Sequence, residues 1–285
     1  MTPDTSTARA APPPPPTKGE GERNRGRAGF PSPLMGEGPG VRGAGERGLL
    51  HTTTIVLPTY NEAQNLPGMV AALLALEPPV DVLVVDDDSP DGTGRIADQL
   101  GAAHAGRVAV LHRQAKTGLG DAYLAGIRRA LEDGAQRIFE MDADFSHPVE
   151  AVPVMLRLAE THDVVVGSRY VKGGSLDRRW SPLRRFISWS GNVYARLVTG
   201  LRVHDTTAGF KCFRREALGR IPLHEVRSQG YNFQIEMALR CQRAGLRIVE
   251  YPIHFRERDA GISKMTPGIA LEALWRLWQL RYLVR

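Results

Sequence analysis

Asp142 and Asp144 stand two residues apart in Phe139-Glu-Met-Asp-Ala-Asp-Phe-Ser-His-Pro148, directly after an apolar run. In an extended or turning segment, carboxylates at that spacing point the same way and can converge on one hard cation, which prefers oxygen ligands. A bare Asp-x-Asp is ordinarily a solvated turn. Three further polar loops, each also ending an apolar run, set this one apart.

Pro58-Thr-Tyr-Asn-Glu62 follows the first such run, where a dinucleotide-binding protein would carry Gly-x-Gly-x-x-Gly. Its absence counts against nicotinamide or flavin chemistry. Tyr60 could stack on a base and Glu62 accept from a ribose, although helix capping by Asn61 or Glu62 accounts for each alone. Asp86, Asp87 and Asp88 repel one another unless donors or a metal compensate, so binding is the better reading. Ser89-Pro-Asp-Gly92 then turns into a helix. Lys116-Thr-Gly-Leu-Gly120 is glycine-rich but lacks a Walker pattern, and it reads mainly as backbone geometry. Gly167-Ser-Arg169 is the fourth loop.

These residue types suggest a nucleotide, a cation and phosphate. A diphosphate neutralised by a divalent cation is a good leaving group, so the simplest reaction transfers what it carries. No Ser-His-Asp or Cys-His pairing appears within any local motif.

Hydrophobic patterning supplies the elements that must hold these loops. Thr53–Leu57, Val80–Val85, Val108–Leu111, Arg137–Met141 and Val164–Val166 read as strands, the first ended by Pro58. Helical spacing marks Ala63–Leu76, the stretch around Ile96 and Leu100, Leu119–Leu131 and Pro148–Ala159. This alternation implies βαβ units and a mostly parallel sheet, with the four loops gathered on one rim. Beyond a Gly- and Arg-rich loop at Val171–Pro182 come a helix (Leu183–Val198), a polar loop (His204–Gly209) and a strand (Phe210–Phe213). A helix (Tyr231–Ala244) and a strand broken at Pro252 (Leu246–Phe255) follow.

Residues 1–50, rich in Pro, Gly and Arg, cannot bury enough apolar surface to order and are expected to be a disordered tail. Residues 51–265 are expected to form the catalytic domain, and 266–285 an amphipathic helix. In that helix Leu271, Leu274, Trp275, Trp278 and Tyr282 share one face, which either lies in a membrane interface or packs on its own domain. Thirty-seven basic residues against 31 acidic give +6, which suits anionic ligands or an anionic membrane surface rather than nucleic acid. Two cysteines exclude a disulfide framework and point to a reducing, cytoplasmic setting. Eight scattered histidines give zinc little support, and no apolar run reaches the ~18 residues of a membrane span.

Pro58–Glu62, Asp86-Asp-Asp-Ser-Pro-Asp-Gly-Thr93, Met141–Pro148, Gly167-Ser-Arg-Tyr170 and Gly230-Tyr-Asn-Phe-Gln-Ile-Glu-Met237 together resemble the polyprenol- and dolichol-phosphate mannose synthases of glycosyltransferase family 2. The match runs over about residues 52–268. The resemblance implies a GT-A fold and transfer of mannose from GDP-mannose to a polyprenyl phosphate, with inversion and with Mg²⁺ or Mn²⁺ as cofactor. It implies that Pro58, Tyr60, Glu62, Val85 and Asp86 or Asp87 hold the guanosine, and that Asp142, Ala143 and Asp144 meet diphosphate and metal. Asp144 is the expected direct ligand, with Asp142 reaching the cation through water or holding the sugar. Arg258 and Lys264 would sit over the donor phosphates, and Arg169, with Arg184 or Arg185, would meet the acceptor phosphate. Asp205 and Gln234 would lie on the acceptor or sugar side.

Some relatives carry Gln where this chain has Ser146, which leaves a third protein ligand in doubt. Some also continue into transmembrane helices. Membrane contact is here expected from the terminal helix, a basic rim or an anchoring partner, on the cytoplasmic face. Transfer of glucose or another sugar is the rival activity, and an inactive nucleotide-sugar-binding subunit the rival class.

Overall fold

The computed structural model describes residues 51–257 and 276–282. The expected tail, Arg258, Lys264 and the first part of the terminal helix lie outside them.

Strand β2 (Asp81–Asp86) is buried along its whole length, as a strand covered on both faces must be. It pairs in parallel with β1 (Thr53–Thr59) and β3 (Val108–His112), and β1 pairs in parallel with β4 (Arg137–Glu140). Strand β5 (Val164–Ser168) is joined to β4 through β7 (Lys211–Arg214), which runs antiparallel to both. Strand β8 (Ile248–Pro252) closes the order β3-β2-β1-β4-β7-β5-β8. A two-stranded parallel ribbon, β6 (Ser175–Leu176) with β9 (His254–Phe255), lies beside it.

The side chains alternate between two cores. Val56, Leu83, Val85 and Ile138 pack with α3 (Leu119–Glu132), α6 (Arg215–Leu218) and α7 (Gly230–Arg243). Ile55, Leu57, Val82, Val84 and Phe139 pack with α1 (Leu66–Leu74), α2 (Thr93–Ala103) and α4 (Val152–Leu158). The result is a mostly parallel α/β/α sandwich. Gly126 lets α3 close onto the sheet, since a Cβ there would lie 2.3 Å from Val56 Cγ1.

Helix α5 (Pro182–Thr199) starts at Ser181, whose hydroxyl accepts from Arg184 N at 3.2 Å, and ends at the left-handed Gly200. Residues 276–282 are helical and rest on α5 and α7 through Leu277 and Leu280, which join Ala195, Val198, Ile235 and Leu239. This stretch therefore packs on its own domain. Leu277 and Leu280 are buried, while Trp278 and Tyr282 are exposed.

Two strand ends also differ from expectation. Strand β1 continues through Pro58, because the last β4-side bond is Met141 N to Val56 O and no donor is needed two residues on. The 246–255 stretch breaks at Ile253, placing β8 and β9 in different sheets.

Candidate active site

Strands β1, β2, β4 and β5 all end on the same edge of the sheet, and the order reverses between β1 and β4, where such sheets open a ligand crevice. On the β1–β2 side the loops fasten each other. Asn61 N donates to Ser89 Oγ (3.2 Å), Glu62 N to Thr93 Oγ1 (3.0 Å) and Ala63 N to Asp91 Oδ2 (3.1 Å).

The acidic run is separated by protein donors. Asp86 accepts from Thr59 Oγ1 (2.9 Å) and from Ser89 N and Oγ (3.1 and 2.6 Å), so its carboxylate is engaged in holding the loop. Asp87 pairs with Arg113 at 2.6 Å. Burial raises the Asp87 carboxyl, against the pull of Arg113. Asp88 turns outward at φ 55°.

Tyr60 and Glu62 lie half-buried at the rim. The Lys116 ammonium sits 3.4 Å over the Tyr60 ring, so a base stacking there uses the other face or displaces it. Glu62 Oε2 accepts from Asn65 Nδ2 at 2.8 Å within the turn into α1. Pro58 is half-buried within β1. The Val85 side chain is wholly buried and faces Gly126, so a ligand beside it would meet its main chain.

At the centre, Tyr123 donates to Asp142 Oδ1 (2.9 Å) and Ser146 N to Asp144 Oδ1 (3.0 Å), with Phe145 left-handed between them at φ 59°. Burial, reinforced by the Asp142 charge, lifts the Tyr123 phenol well above its usual range, which keeps it a donor. Asp142 N donates to His147 Nδ1 (3.2 Å), which places the proton of a neutral imidazole on Nε2. Ala143 is buried beneath the turn.

Two carboxylates and the buried Ser146 hydroxyl, which has no hydrogen-bond partner among the described residues, are an oxygen set suited to a hard cation. Among the described residues no three His, Cys, Asp or Glu side chains cluster to hold a metal by themselves. A cation here would share its coordination with a bound diphosphate and water.

Arg169 is held by Asp205. Its Nε and Nη2 donate to the Asp205 carboxylate at 2.7 and 2.6 Å, its N–H does so at 2.9 Å, and Nη2 also reaches Thr207 Oγ1 at 2.8 Å. Asp205 is fully buried and fixes the guanidinium through these bonds. Arg184 stacks 3.7 Å over Trp180 and pairs with Glu257 at 2.8 Å; Arg185 donates to Asp177 O at 2.8 Å. Gln234 touches Lys211 and borders Gly209 beside Asp142, so its contacts lie on the Asp142 side.

Aromatic rings tie the two sides together. The His147 ring meets Phe255 edge-on at 5.6 Å, and the Arg169 guanidinium lies 5.2 Å from the other residue's ring. Tyr123, Arg113, His147 and the Glu140–Lys211 pair escaped functional notice in the sequence. Only His147 carried a signal, its place inside the Asp142–Pro148 string.

A mostly parallel sheet with an acidic turn at its reversal point and an ion-paired arginine beyond it is a GT-A arrangement. Residues 54–221 match the model of glycosyl transferase family 2; the chain belongs to that family and is a glycosyltransferase. It is 48% identical over 219 residues to an undecaprenyl-phosphate mannosyltransferase of Micrococcus luteus, covering 77% of this chain and 89% of the relative. It is 44% identical over 232 residues to a polyprenol monophosphomannose synthase of Mycolicibacterium smegmatis, covering 80% and 87%. Among solved structures, glucosyl-3-phosphoglycerate synthase of Mycobacterium tuberculosis, in complex with Mn²⁺, UDP and glucosyl-3-phosphoglycerate, shares the fold. Its TM-score is 0.54 at 19% identity, over 81% of this chain and 78% of that one.

Proposed function

We propose that this enzyme transfers mannose from GDP-mannose to a polyprenyl phosphate, with inversion, using Mg²⁺ or Mn²⁺. The observation that carries the reading is the joining of the Asp142–Asp144 turn to Arg169 through His147 and Phe255, in a chain this similar to two such synthases.

In this reading Tyr60, Glu62 and Asp87 border the nucleoside, and Asp142 and Asp144 hold the cation and orient the donor diphosphate. The bound cation supplies charge that stabilises the departing diphosphate. Arg258 and Lys264 would sit over the donor phosphates. The guanidinium of Arg169 grips the acceptor phosphate, and Asp205 keeps it in place. A phosphate monoester is already anionic near neutral pH, so the nucleophile needs alignment more than a strong base. Its oxygen attacks the anomeric carbon as the bond to the diphosphate breaks on the opposite face, which inverts the configuration.

The lipid acceptor implies work at a membrane surface. No helix among the described residues is long and apolar enough to cross a membrane. Helix α5 instead exposes Leu183, Phe186, Ile187 and Leu197 along one side, with Arg184 and Arg185 on its first turns, a pattern suited to the cytoplasmic face of an anionic bilayer.

The test is incubation of the purified protein with a short polyprenyl phosphate, Mg²⁺ and either GDP-mannose or UDP-glucose. Lipid-linked mannose from GDP-mannose is expected. Product from UDP-glucose alone would sink the mannose assignment.

A further inference from the structure

Beneath the Asp142 turn lies a buried polar group that the reading above does not use. Glu140 and Lys211 are opposed residues on β4 and β7, with exposures of 0% and 1%, and their charged ends lie 3.7 Å apart. Lys211 Nζ donates to Ala208 O at 2.6 Å and to Gln234 Oε1. An ammonium can only donate, so the Gln234 atom facing it must be the oxygen, and the amide nitrogen is thereby turned the other way. That nitrogen, Nε2, is buried and completes no well-formed hydrogen bond among the described residues; its N–H groups also face the Glu140 carboxylate and favour its charged form.

Gly209 shows where Nε2 faces. The position a Cβ would take there lies 3.8 Å from Gln234 Nε2, 3.8 Å from Asp142 Oδ2 and 3.6 Å from His147 Cε1. The corner is therefore bordered by an oriented donor and by a carboxylate oxygen, Oδ2, that takes no hydrogen bond from the described residues while Oδ1 takes that of Tyr123. A buried donor left unpaired is costly, which favours a ligand that pairs it. A phosphate oxygen would accept from the amide but meet Asp142 with like charge. A hydroxyl can do both, accepting from Nε2 and donating to Oδ2.

We infer that the corner between Gly209, Gln234 and Asp142 receives one hydroxyl of the transferred sugar, with Lys211 as the positioning residue that fixes the Gln234 amide. This rests on the reading of the site as a donor site and assigns Gln234 to the sugar rather than to the acceptor phosphate. Gly209 is then small for the ligand's sake. Its backbone is not left-handed, and an added Cβ would make only ordinary contacts, so Gly209→Ala should fold normally while filling the corner.

The experiment compares binding of GDP-mannose and of GDP, each with Mn²⁺, to wild type, Gly209→Ala and Gln234→Met. Both variants should bind GDP as wild type does and bind GDP-mannose about tenfold or more weakly, the size of one lost hydrogen bond to a buried partner. Removing single hydroxyls from the donor sugar should reveal one position whose loss costs wild type but not Gln234→Met. If wild type prefers another nucleotide sugar, that sugar and its own diphosphate replace the pair. Unchanged sugar binding in Gly209→Ala, equal losses of GDP and GDP-mannose, or no hydroxyl that couples to Gln234 would each overturn the inference. Wild type that binds no nucleotide sugar would overturn the donor-site reading itself, and this inference with it.

Discussion

Asp205→Ala should separate the part Asp205 plays in folding from the part it plays in transfer. Arg169 keeps only 9% of its side chain exposed and Asp205 none, and three of the Arg169 bonds end on that one carboxylate. Removing the acid leaves a cation buried without its counter-charge, a loss of about 3–5 kcal/mol. For a domain of this size that corresponds to a fall of roughly 6–20 °C in Tm. Thermal unfolding followed by circular dichroism reads it directly. The double variant Arg169→Met/Asp205→Leu removes both charges and should recover most of the stability, since an apolar pair of similar volume does not carry the desolvation cost. It should not recover transfer, because the guanidinium proposed to grip the acceptor phosphate is gone. An Asp205→Ala protein melting within about 2 °C of wild type would refute the assignment of Asp205 as the buried anchor of Arg169.

Further outcomes follow from packing and exposure. Gly126→Ala should lower the denaturant midpoint with an unchanged m value, because its Cβ would press on Val56 and Val85; overpacking costs about 1–3 kcal/mol, of which better helix propensity returns at most ~1. Both cysteines are wholly buried, burial pushing the Cys241 thiol up to about 12 and the Cys212 thiol further still. Neither should react with a thiol reagent until the chain unfolds, as a colour assay with and without denaturant would show. Phe186→Glu/Ile187→Glu on the exposed side of α5 should leave Tm unchanged and weaken sedimentation with anionic vesicles at least about tenfold. Equal sedimentation would remove α5 from the membrane contact.

The repeating strands and helices were legible because apolar runs and 3.6-residue spacing are local properties, and the four loops fell on one edge because their strands run parallel. Pairing was not legible. Nothing in Phe210–Phe213 says that this strand enters between β4 and β5 in reverse, and so nothing marks Lys211 as buried opposite Glu140. The acidic run reads as three equal carboxylates until Thr59 and Arg113, from β1 and beyond β3, distinguish Asp86 from Asp87. In the terminal helix the sequence leaves two uses open for the side that carries Trp278 and Tyr282. Leu277 and Leu280 take the contact with α5 and α7, and the two rings stay outside, Trp278 Nε1 donating to Tyr194 Oη at 3.0 Å.

The most direct measurement is a crystal structure with GDP-mannose and Mn²⁺, with anomalous data collected to locate the manganese. The peak is expected against the Asp142–Asp144 turn, between those carboxylates and the donor diphosphate, with the sugar toward Gly209 and Gln234. A manganese peak bound away from both aspartates, with the nucleotide diphosphate beside it, would contradict the site described here.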